Sequence, residues 1–153
     1  MSTQALRSYL DERHIDYTLI NHSLSYTAQE TAQSAHIPGR EIAKTVVVRI
    51  DGTAAMVVQP ATSKVHLGKL KKLTGAENVS LADERDLGEL FPDCELGAMP
   101  PFGNLYGMHV YVGESLTHDE EIAFNAGSHT ELIKLAYRDF ESLVHPEVVH
   151  VEG

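Results

Sequence analysis

Lys44 stands at the entrance to a run of β-branched residues, Thr45-Val46-Val47-Val48. Two glycine-bearing loops follow far downstream, Gly97-Ala98-Met99-Pro100-Pro101-Phe102-Gly103 and Asn125-Ala126-Gly127-Ser128-His129. A lysine ammonium is a compact charge with rotatable donors, suited to holding a phosphate or ribose oxygen or to steadying charge that develops on an ester oxygen. Gly97 would let a ligand approach the backbone closely, with amides near Ala98 and Met99 donating to it, while Pro100 and Pro101 fix φ and bring no N–H. A neutral imidazole at His129 offers one donor and one acceptor, enough to hydrogen-bond a sugar or orient a water. Each feature also has an ordinary reading: a solvated charge, a rigid turn, one of nine histidines.

Other chemistries find less support. Cys94, the single cysteine, lies between Asp93 and Glu95, and neighbouring negative charge disfavours the thiolate a nucleophile needs. One cysteine cannot close an intramolecular disulfide, which agrees with a reducing compartment. Ser128 beside His129 lacks the Gly-x-Ser-x-Gly elbow of a serine hydrolase. His145 and His150 flank an irregular Pro146 segment, no Cys/His set has zinc-site spacing, and neither a Walker loop nor a dinucleotide fingerprint occurs. The expectation from these residues is a site with no covalent intermediate, metal or cofactor.

The elements that must position these residues alternate between helix and strand. Leu6, Tyr9 and Leu10 recur at helical spacing in the first dozen residues, and Tyr17 to Ile20 reads as a short strand. Thr27-Ala28-Gln29-Glu30 has the form of a capping box, opening a helix that should stop near Ile37-Pro38-Gly39. Thr45–Ile50 and Thr53–Val58 are joined by Asp51-Gly52, a strong hairpin signal. Ser63 is expected to cap a helix ending at Gly75, with Leu67, Leu70 and Leu73 on one side and Lys64, Lys71 and Lys72 on the other. Asp83 should cap a further helix, closed by Pro92. Met108–Val112, Glu121–Asn125 and Leu132–Leu135 read as strands, and a short helix from Asp139 to Val144 as the closing element. A hairpin and more strands than helices favour an α/β chain of the α+β type around a mixed sheet.

At 153 residues the chain suits one domain, taken as 1–153, and 42% hydrophobic with 22% charged residues is the balance of a globular protein. No apolar run has membrane-spanning length, and no basic segment followed by an apolar one opens the sequence, so a cytoplasmic monomer without membrane contact is expected. A net charge of −10 argues against general nucleic-acid binding, DNA included. The stretch from Gly52 to Ala76, however, has no Asp or Glu and carries Lys64, Lys69, Lys71 and Lys72, while acidic residues crowd into 83–95 and 114–121. One basic side is expected, centred on Lys64, Lys71 and Lys72, as the surface for a phosphate backbone.

Taken in order, Lys44, the Gly97 loop and Gly127-x-His129 resemble the YbaK/prolyl-tRNA-synthetase-associated domain family, over roughly residues 17–135. The family's Gly-x-x-x-Pro loop is matched by Gly97 with Pro101, and Pro100 lies one residue early. The resemblance implies a curved, partly barrel-like mixed sheet with surrounding helices. It also implies a freestanding, metal-independent aminoacyl-tRNA deacylase that clears a small amino acid from mischarged tRNA, with a synthetase as a further partner. Lys44, Gly97 and His129 then belong to the catalytic site. Thr45, Ala98, Met99, Pro100, Phe102, Gly127 and Ser128 line the substrate, and the acceptor end of tRNA reaches Lys64, Lys71 and Lys72. Lys44 is followed by Thr45, whereas some relatives that clear alanine from proline tRNA have Asn there, so the edited amino acid stays open. The other function class compatible with these residues is a non-catalytic module that holds an amino acid or tRNA end and regulates a partner.

Overall fold

In the computed structural model, which describes residues 2–24 and 27–152, the hairpin is the longest regular feature and the frame for the rest. Strands β2 (Ala43–Ile50) and β3 (Thr53–Pro60) pair antiparallel over their full length, from Ala43 opposite Pro60 to Ile50 opposite Thr53. Asp51 and Gly52 both have positive φ, 48° and 83°, the turn whose twist matches that of the strands. Lys44 thus lies inside the ladder, directly opposite Gln59.

Two sheets result. β4 (Val79–Leu81), β2, β3, β5 (His109–Gly113) and β8 (Glu147–Val149) form a five-stranded sheet in that order, in which β3–β5 and β5–β8 are parallel. β1 (Tyr17–Asn21), β7 (Glu131–Ala136) and β6 (Glu121–Asn125) form a three-stranded antiparallel sheet. The sheets meet at one parallel bridge between Ile42 and Ala123. The mixed α+β class expected from the sequence is therefore observed, with its strands divided between two sheets.

Helices cover the faces. α1 (Thr3–Glu12) is capped by Ser2 and buries Leu6 and Leu10 completely. α2 (Ala28–Ala35) starts at the expected Thr27 cap, the Glu30 amide donating to Thr27 Oγ1 at 3.0 Å, but it is the Thr27 hydroxyl that donates to the Glu30 carboxylate, so the pair forms a cap and not the expected box. It ends at His36, whose φ is 57°. α4 (Glu84–Leu90) is capped by Asp83, with Asp86 completing a capping box. α5 (Tyr137–Val144) turns Tyr137, Phe140 and Val144 inward. Phe102 sits edge-on to Tyr9, Phe124 and Phe140 at the centre of the larger core, where burial of one aromatic contributes about 2–3 kcal/mol.

Three further expectations are corrected. α3 runs from Leu67 to Thr74 and ends at Gly75 as anticipated, but its N-cap is His66, whose Nδ1 accepts from the Lys69 amide, and not Ser63. Residues 63–66 are held extended by the C-terminal segment: Val65 bridges Glu152, the His66 amide donates to Val151 O, and the Ser63 hydroxyl donates to Glu152. Leu70 is buried, whereas Leu73 is 51% exposed. Strands β4 and β8 were not anticipated, because three residues give no readable alternation. β8 makes α5 the penultimate element.

Candidate functional site

The two glycine loops form one backbone unit. The Glu95 amide donates to Gly127 O at 2.8 Å, and the Gly127 amide donates to Ala98 O at 2.9 Å. The His129 amide donates to a Glu95 carboxylate oxygen, and His129 Nε2 lies 2.5 Å from Leu96 O. A carbonyl can only accept, so Nε2 carries the hydrogen. His129 is 5% exposed and fastens the loop at 95–98 to the loop at 126–129. Gly97 has φ of +83° and Gly127 of +102°, conformations that side chains with a Cβ avoid. A Cβ on Gly97 would meet His129 Cε1 at 3.6 Å and Nε2 at 4.0 Å, ordinary contacts, so Gly97 is required by its dihedral and not by crowding.

Some parts of this unit differ from expectation. The Ala98 amide is spent on Glu95 O, so it has no hydrogen left for a ligand. Met99, Pro100 and Phe102 are buried, Phe102 wholly, and Met99 and Phe102 join the main core cluster. They hold the loop from behind. Ser128 donates to Glu131 at 3.1 Å and accepts from the Thr130 amide, and the Thr3 hydroxyl at the head of α1 donates to Ala126 O at 2.6 Å.

Lys44 approaches this unit through the junction of the sheets. Ile42 and Ala123 are bridge partners in one small apolar cluster with Ala32, Ala61 and Leu132, and by alternation Lys44 and Asn125, two residues further along, fall on that same side of their strands. Gln59, opposite Lys44 in the antiparallel register, shares it. Thr45 turns the other way, with Ala43 and Val47, toward the cluster that contains Met99 and Ala126. A polar row therefore crosses β3, β2 and β6: Gln59, Lys44, Asn125. Asn125 leads directly into Gly127 and His129.

The electrostatics of this row are unbalanced. Lys44 is half-buried and, among the described residues, has no acidic partner. Burial pushes its ammonium below the ordinary lysine range, and Lys64 adds repulsion. Two cations without a carboxylate between them favour an anion. Asn125 Oδ1 and both amide atoms of Gln59 are buried with no hydrogen-bond partner among the described residues. Lys64, Lys71 and Lys72 are exposed on and just before α3. Lys69 donates to Glu152 O instead.

Sequence reasoning missed Gln59 and Asn125 as site candidates. The available signals were a lone polar residue ending the apolar run 54–58 and an Asn closing a strand next to the glycine loop. Cys94 is half-buried beside the Tyr106 hydroxyl at 3.6 Å.

A family model described as an aminoacyl-tRNA editing domain matches residues 22–143. A multifunctional Ser/Thr-tRNA deacylase, ProXp-y, of Escherichia coli strain K12 is 25% identical, covering 96% of this chain and 90% of its own length. The prolyl-tRNA editing protein ProX of Acetoanaerobium sticklandii is 28% identical, covering 92% and 89%. A crystal structure of a candidate trans-editing enzyme for prolyl-tRNA synthetase superposes with a TM-score of 0.84 at 21% identity, covering 99% of this chain and 96% of that one, a likeness of fold.

Proposed function

The chain belongs to the aminoacyl-tRNA editing domain family, and from that premise we propose that it is a trans-editing deacylase that hydrolyses the ester joining a small amino acid to the 3′ end of a mischarged tRNA. The observation that carries the reading is Lys44, a half-buried ammonium without an acidic partner among the described residues, two residues beyond the bridge to the strand that opens into Gly127 and His129. Such a charge is stabilised by an anion, and the anion nearest an aminoacyl ester is the phosphate of the terminal nucleotide.

The chemistry asks little of the protein. A synthetase pocket discriminates one methylene by only about 1–3 kcal/mol, so a second site that hydrolyses the wrong ester restores accuracy. An aminoacyl ester is already activated toward water. Positioning it and steadying the oxyanion that forms as water adds to the carbonyl supply the main part of the acceleration. Lys44 anchors the nucleotide and supplies positive potential at the reacting end. The Gly97 and Gly127 loops form the wall against which the ester lies. His129 acts as a positioning residue, its Nε2–H holding Leu96 O and so the shape of that wall. The tetrahedral adduct then expels the ribose oxygen, which takes a proton, releasing the amino acid and intact tRNA. The serine and threonine activity in the name of the E. coli relative makes a short side chain the first choice here. The exposed lysines around α3 receive the acceptor strand.

A deacylation screen against tRNAs mischarged with small, medium and aromatic amino acids tests this. Release of small residues is expected. Binding of mischarged tRNA without turnover would instead identify a non-catalytic module, and neither binding nor release would end the proposal.

A further inference from the structure

The polar row beside Lys44 contains more than the anion site uses. Asn125 Oδ1 is buried at the end of β6, with no donor among the described residues. An acceptor taken from water and left unpaired is costly, so its presence at a site calls for a partner. Its position identifies what that partner is. Asn125 shares its face with Lys44 through the Ile42–Ala123 bridge, and Lys64 adds a second positive charge nearby. A cationic donor such as the α-ammonium of the amino acid is repelled there, and those same charges favour the oxygen end of the Asn125 amide at this spot. A neutral hydroxyl is not repelled. The neighbouring core is apolar: Leu132 stands directly opposite Asn125, and Ala32, Ile42, Ala61 and Ala123 complete the buried cluster. One acceptor beside small apolar neighbours suits a group of one or two carbons bearing an O–H.

We propose that Asn125 reads a neutral hydroxyl of the substrate, its Oδ1 accepting a hydrogen bond from the side chain of a seryl or threonyl ester or from the free hydroxyl of the terminal ribose. This deepens the deacylase reading and rests on it. A substrate lacking the hydroxyl leaves Oδ1 unpaired, and that penalty discriminates more sharply than apolar contact alone.

The test is single-turnover deacylation by the full chain of one tRNA charged with serine, the same tRNA charged with alanine, and seryl-tRNA ending in 2′-deoxyadenosine. The proteins are wild type, Asn125→Ala and Asn125→Asp, the last keeping an acceptor of the same shape. If the side-chain hydroxyl is read, Asn125→Ala slows the serine ester by about tenfold or more, leaves the alanine ester nearly unchanged, and Asn125→Asp keeps the serine preference. If the ribose hydroxyl is read, Asn125→Ala slows serine and alanine esters alike and no longer slows the deoxy substrate. An unchanged rate, or one equal loss on all three substrates, overturns the assignment. Should Asn125→Ala fail to fold, Asn125→Asp decides: loss of both the serine-over-alanine and the hydroxyl-over-deoxy ratios of wild type counts against it. A wild type that releases none of these amino acids overturns the deacylase reading itself, and this assignment with it.

Discussion

At the residue scale, Lys44 carries opposite consequences for activity and for stability. Loss of one preorganised charge-stabilising group costs roughly 10²–10³ in rate, so Lys44→Ala should lower single-turnover deacylation by that order while the protein stays folded. A wild-type rate would remove Lys44 from the mechanism. Burial and Lys64 both push the Lys44 ammonium below the ordinary lysine range. The unfolded chain therefore binds the proton more readily, the charge destabilises the fold at neutral pH, and this cost fades as pH rises through the folded-state pKa. Lys44→Met should then have a Tm no lower than wild type at pH 7, and any gain should shrink toward pH 10. A Tm loss that is the same at every pH would show that the ammonium is not a strained group. Gly97 presents a different case. Its φ of +83° makes Gly97→Ala cost about 1 kcal/mol by conformation alone. Because Asn tolerates that region better, Gly97→Asn should be milder in a denaturation midpoint; the reverse order would point to crowding.

At the element scale, the ladder of β2 and β3 and the bridge from Ile42 to Ala123 do what no single residue can. They fix the register that brings Lys44, Gln59 and Asn125 onto one face. α3 contributes mainly charge. Its apolar side is thin, with Leu70 buried and Leu73 exposed, while Lys71 and Lys72 point outward with Lys64 just before the helix. Each phosphate neutralised on single-stranded RNA adds about 0.7 to the slope of log affinity against log salt. Neutralising Lys71 and Lys72 together should flatten that slope by up to about 1.4, while sparing hydrolysis of a minimal aminoacyl-nucleotide. An unaltered slope would place the tRNA on another surface.

At the scale of the whole molecule, the C-terminal segment ties distant parts together. β8 pairs with β5, Val151 is 1% exposed, and Glu152 accepts hydroxyl hydrogen bonds from Ser63 and Ser115 and a backbone-carbonyl bond from Lys69. Val151→Ala should cost about 2 kcal/mol in chemical denaturation. A change below about 0.5 kcal/mol, the range of ordinary surface substitutions, would mean that this segment is not part of the cooperative unit. The sequence by itself determined what depends on neighbouring residues: the Asp51-Gly52 turn, the Thr27 and Asp83 caps, the stop at Gly75, the class of fold, and the three segments that resemble the editing family. These are set by local dihedral preference and capping, which a single chain displays in order. Only the tertiary structure decided what depends on residues far apart. It spent the Ala98 amide on Glu95, closed His129 onto Leu96, and replaced Ser63 by His66 as a cap because Glu152 claims Ser63. It also set Asn125 on the same side as Lys44, across a bridge between strands 81 positions apart, from Ile42 to Ala123. No spacing in the sequence encodes that pairing. It exists because two sheets packed over a shared core touch at that point.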